Sequence, residues 1–390
     1  MRELLRRGHD VGVFYPCNYP VPESQLIENG LDRLKIFRVN FVKTRGQVLL
    51  SAWKPHITRR FDRVVSGFSP DVIVFHHLVR LSLDLLALGR LKKIPQIYYL
   101  HDFYLACPSY SLLTAEGQVC SGGSPLRCAR CLYTARYGTQ IRVVSPFVLT
   151  ALPFLLLRNS FIKKVLRDVD LFISPSKFLL RELDRQGVNC SPSVIIPYGS
   201  DGMYTVGKPT GGKEIRFGYL GNISKKKGID VLVKAFQGRM AKFLVIRGFT
   251  DSRAIEDFRK SFPSFGASLE MFDTNIGGFF DKVDVVVVPS VWYENQPNVV
   301  IESFTHGKPV VCSNVGGMAE MVRDGVDGLL FKPNDPYDLR RKVEYLLDNP
   351  DEVSRLSANA PRWPTVAEEV DRLLEAAKNI SCRDAVHKLE

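Results

Sequence analysis

The sequence predicts an α/β protein with two doubly wound domains that face a cleft. The chain has 390 residues, which is more than one ordinary hydrophobic core accommodates. Its hydrophobic content of 45% and charged content of 24% are those of a globular protein. β-type runs alternate with helix-period segments along two stretches of the chain, a pattern typical of parallel sheets covered by helices. A segment rich in Gly, Pro and Thr, residues 204–212, separates the two stretches and predicts a linker.

The alternation sets the order of the predicted elements. In the first stretch, strands are predicted at Val11–Tyr15, Lys35–Asn40, Asp71–Phe75, Gln96–Leu100, Leu171–Ser174 and Ser193–Ile196, with helices near 52–66, 79–90, 145–167 and 176–186. In the second, strands are predicted at Ile215–Leu220, Phe243–Ile246, Ser268–Phe272, Asp284–Val288, Pro309–Cys312 and Gly328–Phe331, with helices at 228–237, 251–261, 298–306, 317–323 and 336–348. We expect domains over 1–198 and 199–360, and a helical tail over 361–390 that packs back on the first domain.

Composition bounds the location and the partners. No uncharged apolar stretch reaches the length of about 18 residues that a membrane-spanning helix needs, and the first residues contain no apolar signal core. The expected location is therefore the cytoplasm. Nucleic acid is not an expected partner, because the chain has no basic helix with interleaved aromatic residues and no zinc-finger spacing.

The net charge of +12 is unevenly placed. Residues 1–195 hold 27 Lys and Arg against 14 Asp and Glu, so the whole surplus lies in the first half. Such a surplus indicates attraction to an anionic surface, and we expect peripheral contact with the inner face of the cell membrane. Dispersed solubilising charge is the alternative.

Glu294 and Glu302 stand eight residues apart, between the β-type runs 284–290 and 308–312. Pro297 suits a first helical position, so we predict a loop that carries Glu294 and then a helix that contains Glu302. Backbone N–H groups at the helix start, over residues 297–299, are suited to an anion. Two carboxylates beside an anion site predict a site for a nucleotide-linked sugar, with two solvated surface charges as the alternative.

These residues resemble the E-x7-E signature of the retaining nucleotide-sugar glycosyltransferases of family GT4, which have the GT-B fold of two Rossmann-like domains. The resemblance implies that Glu302 hydrogen-bonds the nucleotide ribose and that a catalytic Glu294 positions the donor sugar. It implies further donor contacts from the helix start, at Pro297, Asn298 and Val299. It also implies that the anomeric configuration is retained and that catalysis requires no metal or other cofactor.

A lysine-rich turn follows the strand predicted at 215–220 and reads Gly-Asn-Ile-Ser-Lys-Lys-Lys-Gly over residues 221–228. Glycine lets the backbone approach a ligand, and a lysine beside a helix start neutralises phosphate, whereas a solvated loop is the alternative. The turn resembles the family motif G-R-L-x-x-x-K-G, which implies donor contacts from Gly221, Asn222, Lys227 and Gly228. Asn222 stands where the family has arginine, and asparagine brings no charge to a phosphate.

His101 ends the strand predicted at 96–100, where a histidine acts as a hydrogen-bonding or acid–base group, or as a simple cap. GT4 proteins carry a histidine at this strand end close to the transferred sugar, so the resemblance implies a catalytic contact for His101. Three further stretches resemble family motifs, and we assign them to turns and to a hinge between the domains: Gly316–Glu320, Asp324–Gly328 and Pro197–Asp201.

Four of the eight cysteines cluster in what we predict to be one long loop after His101. They are Cys107, Cys120, Cys128 and Cys131, and only the last two form a C-x2-C pair. A disulfide framework is not expected in the cytoplasm. The cluster predicts either a structural zinc site with four thiolates or free thiols in a loop packed over the cleft.

Residues 143–166 are strongly apolar at first and basic at the end. Such a segment predicts a helix in a membrane interface, with Lys163, Lys164 and Arg167 toward lipid head groups. A buried crossover helix is the alternative.

The start of the chain departs from the family pattern. Family members begin with a strand and a Gly-rich turn before a helix that ends in R-G-H-x-V, whereas this chain begins inside that helix, which ends at Arg7-Gly8-His9-Asp10-Val11. We therefore expect the first domain to lack a central strand.

Together, these motifs predict a glycosyltransferase that moves a sugar from an NDP-sugar to a glycan or lipid-linked acceptor, in cell-surface polysaccharide or glycolipid synthesis. Two alternatives stay open. One is a sugar-nucleotide epimerase of the GT-B fold, which needs no acceptor. The other is a catalytically inactive nucleotide-sugar-binding partner.

Overall fold

A computed structural model gives the fold, and it describes residues 1–17, 26–28, 33–40, 54–138, 146–201, 214–248, 252–262, 266–271 and 277–386. The chain forms two compact units. The first comprises Met1–Ala115, Cys120–Pro197 and Val366–Glu390, and the second comprises Glu116–Val119 and Tyr198–Thr365. The predicted linker, residues 204–212, lies outside the described residues.

The strands of the first unit fall into two sheets. β1 (Val11–Cys17) pairs in parallel with β3 (Leu34–Asn40), whose other edge pairs with the antiparallel strand β2 (Leu26–Glu28). A separate parallel sheet has the order β4-β5-β6-β7, formed by Ile73–Phe75, Gln96–Tyr99, Leu171–Ser174 and Ser193–Ile195. The six predicted strands are present. The strand β2 was not predicted, because three residues are too few to show a strand pattern in the sequence.

The helices of the first unit cover these sheets. They are α1 (Arg2–Arg6), α2 (Pro55–Phe68), α3 (Leu85–Leu91), α4 (Pro125–Tyr137), α5 (Pro146–Val165), α6 (Lys177–Arg185) and α14 (Val366–Val386). α2 buries Ile57, Phe61 and Val65, which recur at the spacing of one helical face. α14 packs on α1, where Arg7 contacts Asp371 and the carbonyl of Ala367.

The second unit contains one six-stranded parallel sheet with the order β10-β9-β8-β11-β12-β13. Its strands are β8 (Phe217–Gly221), β9 (Leu244–Gly248), β10 (Ser268–Met271), β11 (Val285–Val288), β12 (Val310–Ser313) and β13 (Gly328–Phe331). The central strand β11 is buried on both faces. Val285 and Val287 enter one hydrophobic cluster and Val286 and Val288 another, which is why the strand is a continuous valine run.

The helices of the second unit are α7 (Ile229–Ala235), α8 (Ser252–Ser261), α9 (Gly277–Phe280), α10 (Asn298–Thr305), α11 (Met318–Met321), α12 (Pro336–Asp348) and α13 (Pro350–Ala358). Because all six strands are parallel, the segments that follow β8, β11 and β12 leave the sheet at the same edge. That edge brings the lysine-rich turn, the Glu294 loop and the Gly316–Gly317 turn together. The predicted α/β fold, with a parallel sheet in each half, is confirmed.

One prediction of local structure is wrong. The segment that carries Cys128 and Cys131 is not loop but helix α4, which starts because Ser124 accepts a hydrogen bond from the Arg127 backbone and Pro125 occupies the first turn. Helix α10 begins at Asn298, as the predicted range 298–306 has it, and Pro297 is its extended N-cap residue.

Helix α5 has two unlike faces. Val148, Ala151 and Leu155 are buried against Ala129 of α4, whereas Leu156 and Leu157 are exposed by 51% and 67%. Residues 143–145 of the predicted interfacial segment lie outside the described ranges. No helix within those ranges combines the length and the hydropathy that a membrane span requires.

Candidate functional site

The carboxylate of Glu294 is the centre of a hydrogen-bonded cluster at the edge of the second unit's sheet. Its Oε1 accepts hydrogen bonds from Lys227 Nζ at 2.5 Å, Trp292 Nε1 at 2.7 Å and Ser290 Oγ at 3.0 Å. Glu294 is only 9% exposed, so these donors and the lysine charge replace the water that its charge loses on burial. Within the described part of the chain, no residue donates to Oε2. One carboxylate oxygen is therefore held and the other is available to a ligand.

Two glycines behind this loop let it approach the neighbouring turn. The backbone N–H of Gly317 donates to the Glu294 carbonyl at 2.6 Å. A Cβ at Gly317 would lie 1.6 Å from the Asn295 carbonyl oxygen, and one at Gly316 would lie 2.6 Å from that of Glu294. The G-G-x-x-E stretch, predicted to serve only a turn, thus supports the loop that presents Glu294.

The lysine-rich turn is a short 3₁₀ helix, Lys225–Lys227, followed by Gly228 in a left-handed conformation with φ of +77°. A Cβ at Gly228 would lie 1.7 Å from the Pro289 carbonyl oxygen, so only glycine lets this turn pack against the end of β11. The ammonium groups of Lys226 and Lys227 lie 4.8 and 5.6 Å from the centre of the Trp292 ring. Lys227 and Trp292 thus both contact the Glu294 carboxylate, and Lys226 lies over the same ring.

Gly221 and Asn222 lie where β8 ends, before this turn. The Asn222 carbonyl accepts a hydrogen bond from Tyr219 Oη at 2.6 Å, and the Asn222 residue is exposed. Burial, with Glu294 nearby, raises the pKa of the Tyr219 hydroxyl well above its usual range. Tyr219 therefore stays neutral and acts as a hydrogen-bond donor behind the turn.

Helix α10 places Glu302 one turn inside its N-terminus. Pro297 has no side-chain acceptor to cap the helix, so the N–H groups of Asn298 and Val299 are open to a ligand. Glu302 is half-buried, and burial raises the pKa of its carboxyl above the usual value. No described residue donates a hydrogen bond to the Glu302 carboxylate. A half-buried carboxylate without a protein donor is typical of a ligand site.

In the first unit, His101 lies in a stack of aromatic rings beyond the ends of β4 and β5. Its ring stacks on Tyr99 with centroids 4.9 Å apart, and its Nε2 is 3.0 Å from Nδ1 of His76. Beside this pair, His77 Nε2 contacts Asp102 Oδ2 at 2.7 Å. His76 and His77 were not predicted from the sequence as site residues. A His-His pair directly after a predicted strand is nevertheless the same signal that pointed to His101.

The pKa of His101 is lowered from its ordinary value of 6.5 to about 4, mainly by burial and also by the nearby His76 and His77, while Asp102 opposes them. Burial also lowers the pKa of His76. Both rings are therefore neutral near pH 7, and each offers one N–H donor and one acceptor nitrogen.

The four clustered cysteines belong to the first unit. None of them is in a disulfide. The pKa of the Cys128 thiol is raised to about 11, mainly by burial and also by the nearby thiols of Cys107, Cys120 and Cys131. As the side chains stand, no three His, Cys, Asp or Glu side chains of the described residues are placed to hold a metal. Zinc binding by this cluster stays a prediction.

The lowered pKa of His101 predicts a loss of stability in acid. The unfolded chain takes up a proton on this ring near pH 6.5 and the folded chain only near pH 4, so the free energy of unfolding falls as pH drops through that window. The loss is at most roughly 3 kcal/mol, since partial exposure screens it.

Urea titrations from pH 7.5 to 4 measure this effect. His101→Gln should flatten the dependence on pH, whereas His9→Gln, a change at an exposed ring in the same unit, should keep the wild-type slope. Equal slopes for wild type and His101→Gln would show that the His101 ring is not held neutral by the fold.

Comparisons with known proteins agree with this fold. Residues 1–201 match the family model Glycosyltransferase Family 4, and residues 207–363 match the model Glycosyl transferases group 1. An uncharacterized glycosyltransferase of Methanocaldococcus jannaschii is 28% identical over 228 residues, which are 54% of this chain and 60% of that protein. The chain thus spans less than two thirds of that relative's length.

Solved structures share the fold. Sucrose-phosphate synthase from Thermosynechococcus elongatus superposes with a TM-score of 0.62 at 19% identity, over 99% of this chain and 90% of that one. Anabaena HepE in complex with UDP superposes with a TM-score of 0.61 at 16% identity, over 88% and 86%. The matched families are transferases, which does not favour the epimerase alternative. The chain belongs to glycosyltransferase family 4, and its fold is the GT-B fold of those enzymes.

Proposed function

We propose that the chain is a retaining glycosyltransferase that moves a sugar from a nucleoside-diphosphate sugar to a glycan or glycolipid acceptor, without a catalytic metal. The observation that carries the proposal is the pair of carboxylates on either side of the α10 N-terminus, Glu294, which is paired with Lys227, and Glu302. Membership of the family supports the reaction class, and the HepE structure contains UDP.

The chemistry requires stabilisation of a leaving diphosphate. The bond between the anomeric carbon and the diphosphate oxygen breaks with its electron pair on the diphosphate. A bond to the acceptor oxygen forms on the same face of the sugar, and the proton of that hydroxyl passes to the departing diphosphate. Lys227 and the N–H groups of Asn298 and Val299 supply positive charge where negative charge gathers. The half-buried Glu302 accepts hydrogen bonds from the ribose hydroxyls.

Glu294 has a dual part in this proposal. Its Oε1 is bound to Lys227, Ser290 and Trp292, which fixes the carboxylate, and its Oε2 accepts a hydrogen bond from the donor sugar. The carboxylate charge also favours the cationic character that develops on the sugar ring. His101, a residue of the first unit that is neutral near pH 7, supplies a hydrogen bond to the transferred sugar.

The exposed face of α5 is the proposed contact with an anionic membrane. Large apolar side chains are 42–67% exposed along this face, and they are Leu149, Phe154, Leu156 and Leu157. The last turn then carries Lys163 and Lys164, both exposed. Apolar side chains followed by basic ones on one surface match a helix that lies in the headgroup region, with its charges toward anionic lipid. This supports a glycolipid acceptor and a role in cell-surface polysaccharide synthesis.

Glu294→Gln tests the site assignment. The substitution keeps the shape and removes the charge, so we expect sugar transfer to fall at least about 100-fold while the circular dichroism spectrum is unchanged. Transfer is measured with UDP-, GDP- and ADP-sugars on a membrane-lipid acceptor pool.

The matched control for this test is Glu214→Gln. Glu214 pairs with Lys242 at 3.2 Å on the surface of the same unit, so this variant should transfer at the wild-type rate. Full transfer by Glu294→Gln would refute the assignment. Donor consumption without any acceptor would favour an epimerase, and donor binding without turnover by the wild type would favour an inactive binding partner.

Leu156→Ser combined with Leu157→Ser tests the membrane contact. Removing two exposed apolar side chains should weaken sedimentation with phosphatidylglycerol vesicles by about tenfold. Leu91→Ser, at a position that is 78% exposed on α3, is the control and should sediment like the wild type. Binding to the vesicles should also weaken as salt is added, because lysines contribute. Wild-type protein that stays in solution with anionic vesicles would contradict the proposal.

A further inference from the structure

The cysteine cluster of the first unit has no part in the proposed transfer chemistry. Cys107, Cys120, Cys128 and Cys131 follow one another with 12, 7 and 2 residues between them. We propose that these four thiolates bind one structural zinc ion, which fixes the segment from Phe103 to Cys131 onto helix α5.

Helix α4 supplies the first half of this site. Cys128 and Cys131 are three residues apart on α4, so their side chains leave the helix on the same face. The Sγ atom of Cys128 packs so closely on Gly123 that a Cβ there would lie 2.3 Å from it. The turn before the helix thus folds over Cys128, and the C-x2-C pair occupies the first turns of α4, as in many structural zinc sites.

The segment before α4 supplies the second half. The Cys107 backbone donates to the Phe103 carbonyl at 2.7 Å and its carbonyl accepts from Tyr110, which makes a compact turn. The Cys120 backbone donates to the Leu112 carbonyl at 2.7 Å and closes the loop that follows. These bonds order the two turns, and Cys107 and Cys120 lie near enough to Cys128 to act electrostatically on its thiol.

A buried cation beside the cluster requires negative charge. Arg158 on α5 is 1% exposed, and its Nε has no hydrogen-bond partner. One of its Nη atoms donates to the Tyr104 carbonyl, and its guanidinium lies 5.2 Å from the centre of the Tyr104 ring. The ionisable groups that act most strongly on it are Tyr98, Tyr104, Cys107 and Cys128, with no carboxylate among them. Among the described residues no carboxylate pairs with Arg158, so this buried charge has no anionic counter-ion there.

Zinc binding supplies that counter-charge. Each of the four thiols loses its proton, and the four thiolates with one Zn²⁺ carry a net charge of about −2 next to Arg158. The thiols must turn toward one point when the ion binds, since no group of three metal-binding side chains is preformed in the described residues. Thiolate-only coordination selects zinc over the oxygen-seeking cations.

The proposed zinc also supports the histidine cluster. Arg158 holds the Tyr104 carbonyl, the Tyr104 backbone N–H donates to Asp102 Oδ1 at 2.8 Å, and Asp102 Oδ2 contacts His77 at 2.7 Å. A metal that anchors Arg158 therefore fixes the chain directly after His101.

Metal content of the full-length chain tests the proposal. The protein is purified under reducing conditions and analysed by inductively coupled plasma mass spectrometry, and we expect about one zinc per chain. The apo-protein titrated with Co²⁺ should show the intense visible bands of tetrahedral cobalt–thiolate coordination. Zn²⁺ should displace the cobalt and protect the four thiols from alkylation. This second measurement uses only wild-type protein.

Variants locate the ion. Cys128→Ser with Cys131→Ser should bind less than about one tenth of a zinc per chain, whereas Cys190→Ser, at a buried cysteine outside the cluster, should bind zinc like the wild type. Arg158→Met should weaken zinc affinity by about 10- to 100-fold, since it removes the positive charge beside the thiolates. Folded wild-type protein with iron, with a disulfide between these cysteines, or with no metal and four reactive thiols would overturn the proposal.

Discussion

The ion pair between Lys227 and Glu294 is the contact on which the proposed donor site depends. It joins residues 67 positions apart, one in the turn after β8 and one in the loop after β11. A carboxylate this buried is stable only with donors around it, and Ser290 and Trp292 complete the set. The close packing that permits this contact depends on Gly228 and Gly317, where any side chain would strike backbone oxygen. The charge pair and the glycine contacts therefore specify one loop conformation together.

The polar groups of the two units are stabilised in different ways. In the second unit, charge is buried and paired at Glu294, while Glu302, near the start of α10, receives no hydrogen bond from a described residue. In the first unit, burial keeps His76 and His101 neutral, and the rings are ordered by stacking and by one nitrogen–nitrogen contact. The arrangement in the second unit suits the binding of an anionic diphosphate. The arrangement in the first unit suits hydrogen bonds to uncharged hydroxyl groups of a sugar.

Much of the fold was predictable because strands buried on both faces leave apolar runs that need no context, as Val285–Val288 shows. Helix α4 was not predictable in this way, since its cysteines and the Gly-Gly-Ser before it resemble a loop, and only Ser124 and Pro125 signal a helix start. The E-x7-E spacing located Glu294, but its contacts with Lys227 and with the Gly316–Gly317 turn depend on strand order. Strand order is a long-range property that no local pattern carries. His76 and His77, in contrast, were within reach of the sequence, because the strand-end argument for His101 applies equally to them.

Affinity for a nucleoside diphosphate measures most directly whether Lys227 and Glu294 form a donor site. Calorimetric titration with UDP, GDP and ADP would compare the wild type with Lys227→Met and with Lys242→Met, whose lysine makes a surface pair with Glu214. Loss of one charge-assisted hydrogen bond to phosphate, worth about 1.5–3 kcal/mol, should weaken the binding of the preferred diphosphate by about 10- to 100-fold in Lys227→Met. Lys242→Met should bind like the wild type. Equal affinities in all three proteins would contradict the account.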